Sequence, residues 1–152
     1  MERKPDIDLE VTASLFYLPP VGHFAKSLFS KHPKLQDEEG DLAYSMELVL
    51  YEACANVIRH AYREGEDGRF RLRIWFHPDR LSMRVVDFGP GFDPDQIPAP
   101  DLEEPKGGGL GLFIIRSAVD WFSYGYSSQE QGNVLHMEKG FSTEPVKPYE
   151  AC

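Results

Sequence analysis

A chain of 152 residues with 41% hydrophobic side chains has the length of one domain and enough apolar mass to bury a core. Its formal net charge of −9 argues against a nucleic-acid binder, which would carry a basic face, although backbone amides and a metal ion still let an acidic protein hold phosphates. No apolar run approaches the about 20 residues of a membrane span, and residues 1–10 lack the apolar stretch of a signal peptide, so a cytoplasmic protein that meets protein partners is expected.

In chain order, Leu9, Val11, Ala13 and Leu15 alternate and predict a first strand with one buried face. Pro19-Pro20 stops it, and Pro20 suits the first turn of a helix. Val21, Phe24, Ala25, Leu28 and Phe29 then form an amphipathic stripe. Residues 31–40 are polar, contain Pro33 and Gly40, and read as a loop. A long helix is predicted over 41–62, with Met46, Val49, Leu50, Ala53, Val57 and Ala61 as its apolar face. Cys54 lies within it as a small buried hydrophobe, and Cys152 is the last residue; two cysteines so placed are neither a disulfide framework nor a metal-ligand spacing. Gly65 and Asp67-Gly68 end the helix in a turn.

Phe70, Leu72, Ile74 and Phe76 alternate with Arg69, Arg71 and Arg73, which predicts a strand with one polar face. The arginines read as a solvated surface, with an acidic partner as the second reading, and Trp75 on the same face hints at a cover. After a turn at 77–80, Leu81, Met83 and Val85 continue as a second strand ending at Asp87, the pair forming a hairpin. Residues 90–106 interleave five prolines with acidic residues, which excludes a regular helix or central strand and suggests a lid. A helix from the glycine run to about Asp120, a strand around Phe122, Tyr124 and Tyr126, and a last strand over 134–139 complete the domain. Trp121 is assigned to the core or to a subunit interface. The expected architecture is a two-layer α+β sandwich, a mixed, mostly antiparallel sheet packed on one face by about three helices. One domain over 1–141, with its lid at 92–110, precedes a polar tail at 142–152.

Three clusters carry the chemistry. Glu52-x-x-x-Asn56-x-x-x-His60 places a carboxylate, an amide and an imidazole along one helix face. Asn56 offers a neutral oxygen for a hard cation, and Glu52 a base for an attacking hydroxyl; an ordinary solvated helix face has the same pattern. Asp87-Phe-Gly89-Pro-Gly91 ends a strand whose alternation points Asp87 inward. A buried carboxylate needs a partner, and the amino group of an adenine is one, with Gly89 and Gly91 leaving room for a flat base. A plain turn uses the same residues. Gly107-Gly108-Gly109-Leu110-Gly111-Leu112 opens a helix with exposed amides, an anion site that matches neither a P-loop nor a dinucleotide fingerprint. Read alone, it also fits a hinge.

In their order and spacing the clusters resemble the ATP-binding boxes of the GHKL fold, shared by gyrase-type, chaperone-type and histidine-kinase ATPases. Residues 52–62, 108–116 and 132–139 look most like the anti-sigma-factor serine kinases of bacterial partner-switching systems, and the likeness covers roughly 8–140. It implies that Asn56 coordinates Mg²⁺, with His60 on the same face, and that Glu52 is the acid/base residue near the γ-phosphate. It implies that Asp87 accepts from the adenine amino group, that Gly89 and Gly91 line the base pocket, and that Gly107, Gly108, Gly109 and Gly111 supply amides to the phosphates. Some members place an arginine in the glycine run where Leu110 stands, and Lys106 offers a positive charge from the lid instead. Where many relatives hold the adenine through a late-strand threonine, the counterpart here is His136.

The resemblance therefore implies an ATP- and Mg²⁺-dependent serine/threonine protein kinase. It would phosphorylate a small antagonist protein, bind a sigma factor or other regulator, and form a homodimer. Two other readings fit the same residues: a non-catalytic ATP/ADP-dependent binding switch, and a histidine-kinase-type catalytic domain acting in trans.

Overall fold

The computed structural model describes residues 2–37, 41–63, 65–96, 103 and 109–141. The predicted hairpin is the centre of the sheet. β2 (Arg69–Phe76) and β3 (Arg80–Asp87) pair antiparallel, with Phe70 opposite Asp87, and the His77 amide closes the turn on the Arg80 carbonyl at 2.9 Å. β1 (Ile7–Thr12) adds to the edge of β2, β5 (Gly132–Gly140) to that of β3, and β4 (Trp121–Ser127) lies outside β5. The order is β1-β2-β3-β5-β4, and every ladder is antiparallel.

Period-two alternation sorts the side chains of this sheet onto two faces. Phe70, Leu72, Ile74, Leu81, Met83, Val85, Leu135 and Met137 point one way and are fully buried under the helices. α1 (Leu18–Phe29) contributes Leu18, Val21, Ala25 and Phe29, and its two prolines sit in the first turn, where amides have no intrahelical acceptor. α2 (Asp41–His60) buries Met46, Val49, Leu50, Ala53 and Val57, and α3 (Leu110–Ala118) buries Leu112 and Ile115. The result is the two-layer α+β sandwich. No helix among the described residues is long and apolar enough to cross a membrane.

Two expectations shift in detail, and a third falls mostly outside the described residues. The first strand runs over Ile7–Thr12 rather than 9–15, because Ser14 accepts from the Phe16 amide and caps a 3-10 turn at Leu15–Tyr17. Leu15 is 55% exposed, so its place in the alternation was incidental. α3 stops at Ala118, where Val119 turns extended and the Asp120 amide pairs with the Glu138 carbonyl. Of the expected lid at 92–110, only 92–96, 103, 109 and 110 are among the described residues; Lys106, Gly107, Gly108 and the 142–152 tail lie outside them.

The face away from the helices is not a row of freely solvated arginines. Arg71 pairs with Asp8 across the β1–β2 ladder at 2.6 Å, Arg69 with Glu10 at 3.0 Å, and Arg73 with Glu130. Trp75 is 3% exposed, and its indole donates to the Arg3 carbonyl at 2.8 Å, so the chain's own N-terminal segment supplies its cover. Trp121 belongs to this outer face too, edge-on to His136 at 4.9 Å.

Candidate nucleotide site

The end of β3 carries Asp87 to the helix-facing side, as the alternation requires, and leaves its residue fully buried. Three donors meet its carboxylate: Asn133 Nδ2 at 2.9 Å and the Gly89 amide at 3.2 Å on Oδ1, and the Tyr124 hydroxyl at 2.5 Å on Oδ2. Burial pushes the Asp87 pKa above its ordinary value, and the hydrogen bonds from Asn133, Tyr124 and Gly89 pull against that rise. The loop that follows is set tightly. Gly91 has φ +79°, and a Cβ there would stand 2.7 Å from Asn133 Nδ2 and 2.8 Å from the Tyr124 hydroxyl. A Cβ on Gly89 would stand 2.5 Å from the Ala61 carbonyl, so the loop is pressed against the end of α2. Phe92 stacks on Tyr124 at 4.3 Å and tilts toward His60 at 5.9 Å.

The other half of the site lies between α2 and α3. Gly109, with φ +82°, caps α3, and its carbonyl accepts the first helical bond from Phe113 at 3.1 Å. The amides of Leu110, Gly111 and Leu112 therefore have no acceptor within the helix. This helix start is packed directly on the polar face of α2, since a Cβ on Gly111 would lie 2.5 Å from Glu52 Oε2 and 3.4 Å from Asn56 Nδ2. Asn56 is 6% exposed, and its Nδ2 has no hydrogen-bond partner among the described residues. An orphaned amide group in a buried position costs free energy unless a ligand satisfies it. Burial raises the Glu52 pKa, with Arg59 partly offsetting it, and burial together with Arg59 lowers that of His60.

The domain family described as "Histidine kinase-like ATPase domain" matches residues 11–139. The chain belongs to that family. The chain is 30% identical over 122 residues to the serine-protein kinase RsbW of Bacillus subtilis (strain 168), spanning 75% of this chain and 74% of that one. It is 28% identical over 156 residues to the RsbW of Bacillus cereus (strain AH187), spanning 97% and 92%. Among solved structures, the histidine kinase domain of the Erythrobacter litoralis EL346 blue-light activated histidine kinase superposes with a TM-score of 0.52 at 19% identity, over 83% of this chain and 60% of that one, which shows the shared fold.

Against this histidine kinase-like ATPase frame the anticipated residues fall into three groups. Glu52 and Asn56 meet Gly111 at the start of α3, and Asp87, Gly89 and Gly91 form the second half of the site, with His60 between them near Phe92. Leu112 is 4% exposed and its side chain belongs to the core, while Leu110 is 42% exposed, so these two bring backbone amides rather than side chains. His136 is placed differently from expectation. It pairs with Arg84 in the ladder while Asn133 pairs with Asp87, and an odd separation on one strand puts His136 on the opposite face. There its Nε2 lies 2.9 Å from Ser82 Oγ and 3.3 Å from Glu138. The late-strand residue beside Asp87 is Asn133. Sequence reading missed Asn133, Tyr124 and Phe92. Counting by twos along 133, 135 and 137 gives Asn133 the inward face, but only the strand order puts β5 next to β3.

Proposed function

We propose that this protein is an ATP-dependent serine/threonine protein kinase of the anti-sigma type, which phosphorylates a small antagonist protein and binds a sigma factor or comparable regulator. The observation that carries the reading is the seating of the α3 N-terminus, with its free amides, against Glu52 and the unpartnered amide of Asn56. Relatives named serine-protein kinase across most of this chain support it.

In this reading Asp87 accepts from the adenine amino group, and the amides at Leu110, Gly111 and Leu112 hold phosphate oxygens at the positive end of the helix. The amide of Asn56 fits either of two neighbours, because its nitrogen and oxygen are interchangeable by a turn about the last side-chain bond. With the oxygen turned inward it is a ligand for Mg²⁺. That ion supplies charge neutralisation for the phosphates. Glu52 positions the attacking serine hydroxyl and takes its proton, and its raised pKa makes it a stronger base than an ordinary carboxylate. Positioning and electrostatics are most of what phosphoryl transfer asks of a protein. The segment 92–110 as lid, Lys106 with Gly107 and Gly108 as further phosphate contacts, a homodimer and a cytoplasmic location belong to the same proposal.

Glu52→Gln tests the catalytic assignment. With radiolabelled ATP, Mg²⁺ and a candidate antagonist, wild-type protein is expected to give acid-stable phosphoserine. The variant is expected to bind ATP with affinity close to wild type and to transfer phosphate about 100-fold or more slowly, the usual worth of a positioned base. Wild-type protein that binds ATP without transferring phosphate would make the domain a binding switch, and an acid-labile product would make it a histidine-kinase-type catalyst.

A further inference from the structure

Resting on the ATP reading, the geometry around Asp87 assigns a role to a residue that neither the sequence motifs nor the site's phosphate half explains. A carboxylate has two oxygens and about four lone-pair positions. Asn133 and the Gly89 amide take both positions on Oδ1, and the Tyr124 hydroxyl takes one on Oδ2. No other described residue donates to it. One acceptor position is left, on Oδ2, in a direction set by where the tyrosine hydroxyl already sits.

Tyr124 is itself held in place. The Phe92 ring stacks on it, and the missing side chain at Gly91 is what admits its hydroxyl. The hydroxyl has one proton to give, and an ionised carboxylate only accepts. Burial keeps that proton on the phenol. The other titratable group facing Asp87 among the described residues is Tyr62, just past α2, whose phenol burial also keeps protonated.

We propose that Tyr124 is a positioning residue that sets base selectivity: its hydrogen bond holds Asp87 as an ionised, singly vacant acceptor, which fits the amino group of adenine and opposes the carbonyl oxygen of guanine. Without that hydrogen bond Asp87 is free to turn and takes a proton more readily. A protonated carboxyl donates, and so accommodates guanine. The hydrogen bond from Tyr124 is one of those pulling the Asp87 pKa down, so its loss raises that pKa further. ATP binding that needs the ionised form then begins to fail at a higher pH.

The test is calorimetric titration of the whole chain with Mg-ATP, Mg-GTP and Mg-N6,N6-dimethyl-ATP between pH 5 and 8, for wild type and Tyr124→Phe. Phenylalanine keeps the stack on Phe92 and deletes only the hydroxyl. Wild type is expected to prefer ATP over both analogues by about 10-fold or more, the scale of one hydrogen bond to a charged group. In Tyr124→Phe the ATP-to-GTP ratio is expected to fall by about 10-fold, and the acid limb of ATP binding to move to higher pH. A purely structural role for the hydroxyl would weaken all three ligands alike and leave the limb in place; that result, or a wild-type ratio and limb in the variant, overturns the proposal. So does wild-type protein that binds the dimethylated analogue as well as ATP, a result that needs no variant to fold. Wild-type protein that binds no nucleotide removes the kinase reading and this proposal together, whereas selective wild-type binding with an unaltered variant removes only the role of Tyr124.

Discussion

With Asp87 as the proposed adenine acceptor, stability and binding pull in opposite directions at one residue. Its carboxyl is buried and its folded pKa lies above the ordinary value of 3.8. Between those two values the native state holds a proton that the unfolded chain has released, so stability falls as pH rises through that window and is level above it. In the proposed site, adenine binding needs the ionised form and has the opposite slope. Asp87→Asn removes the titration, so denaturant unfolding of the nucleotide-free protein between pH 4 and 8 is expected to show the variant gaining on wild type as pH rises. A difference that moves in favour of wild type would mean that the three donors outweigh burial. The inward direction of Asp87 was legible in the sequence from Leu81, Met83 and Val85. Its donors were not, because Asn133 and Tyr124 are 46 and 37 residues away along the chain.

At the scale of elements, the site is made by α3 being set against α2. Gly111 permits it, because any side chain there enters the space of Glu52. The atom it would meet is the tip of a flexible side chain, so Gly111→Ala shifts Glu52 rather than the helix. Alanine is also the better helix former, by about 1 kcal/mol in a helix interior. The expected outcome is unchanged or slightly raised stability in urea unfolding, together with phosphate transfer slowed on the order of 10- to 100-fold through misplacement of the proposed base. Parallel losses of stability and transfer would show instead that the α2–α3 contact is rigid. The elements themselves were readable from periodicity and from Gly and Pro punctuation. β1 was displaced because a polar cap at Ser14 outweighed an alternating pattern, and the late-strand neighbour of Asp87 is Asn133 rather than His136 because an odd shift along a strand exchanges its faces.

For the whole molecule, a pocket that binds only the folded chain links ligand to stability. At an ATP concentration of 100 times its Kd the native state gains about 2.7 kcal/mol. For a domain of this size that raises the melting temperature by roughly 5 to 10 °C, measurable by scanning calorimetry with Mg-ATP against Mg-GTP. No shift with any nucleotide would remove the pocket. Local chemistry in the sequence determined the element types, the two-layer class and the identity of the three clusters, because helix and strand periodicities and exposed amides are properties of short stretches of chain. The tertiary structure alone decided that β5 lies between β3 and β4. That order brings Asn133 and Tyr124 onto Asp87 and sends His136 to the far face, because strand adjacency is fixed by how the whole sheet buries its apolar side and no segment encodes it alone.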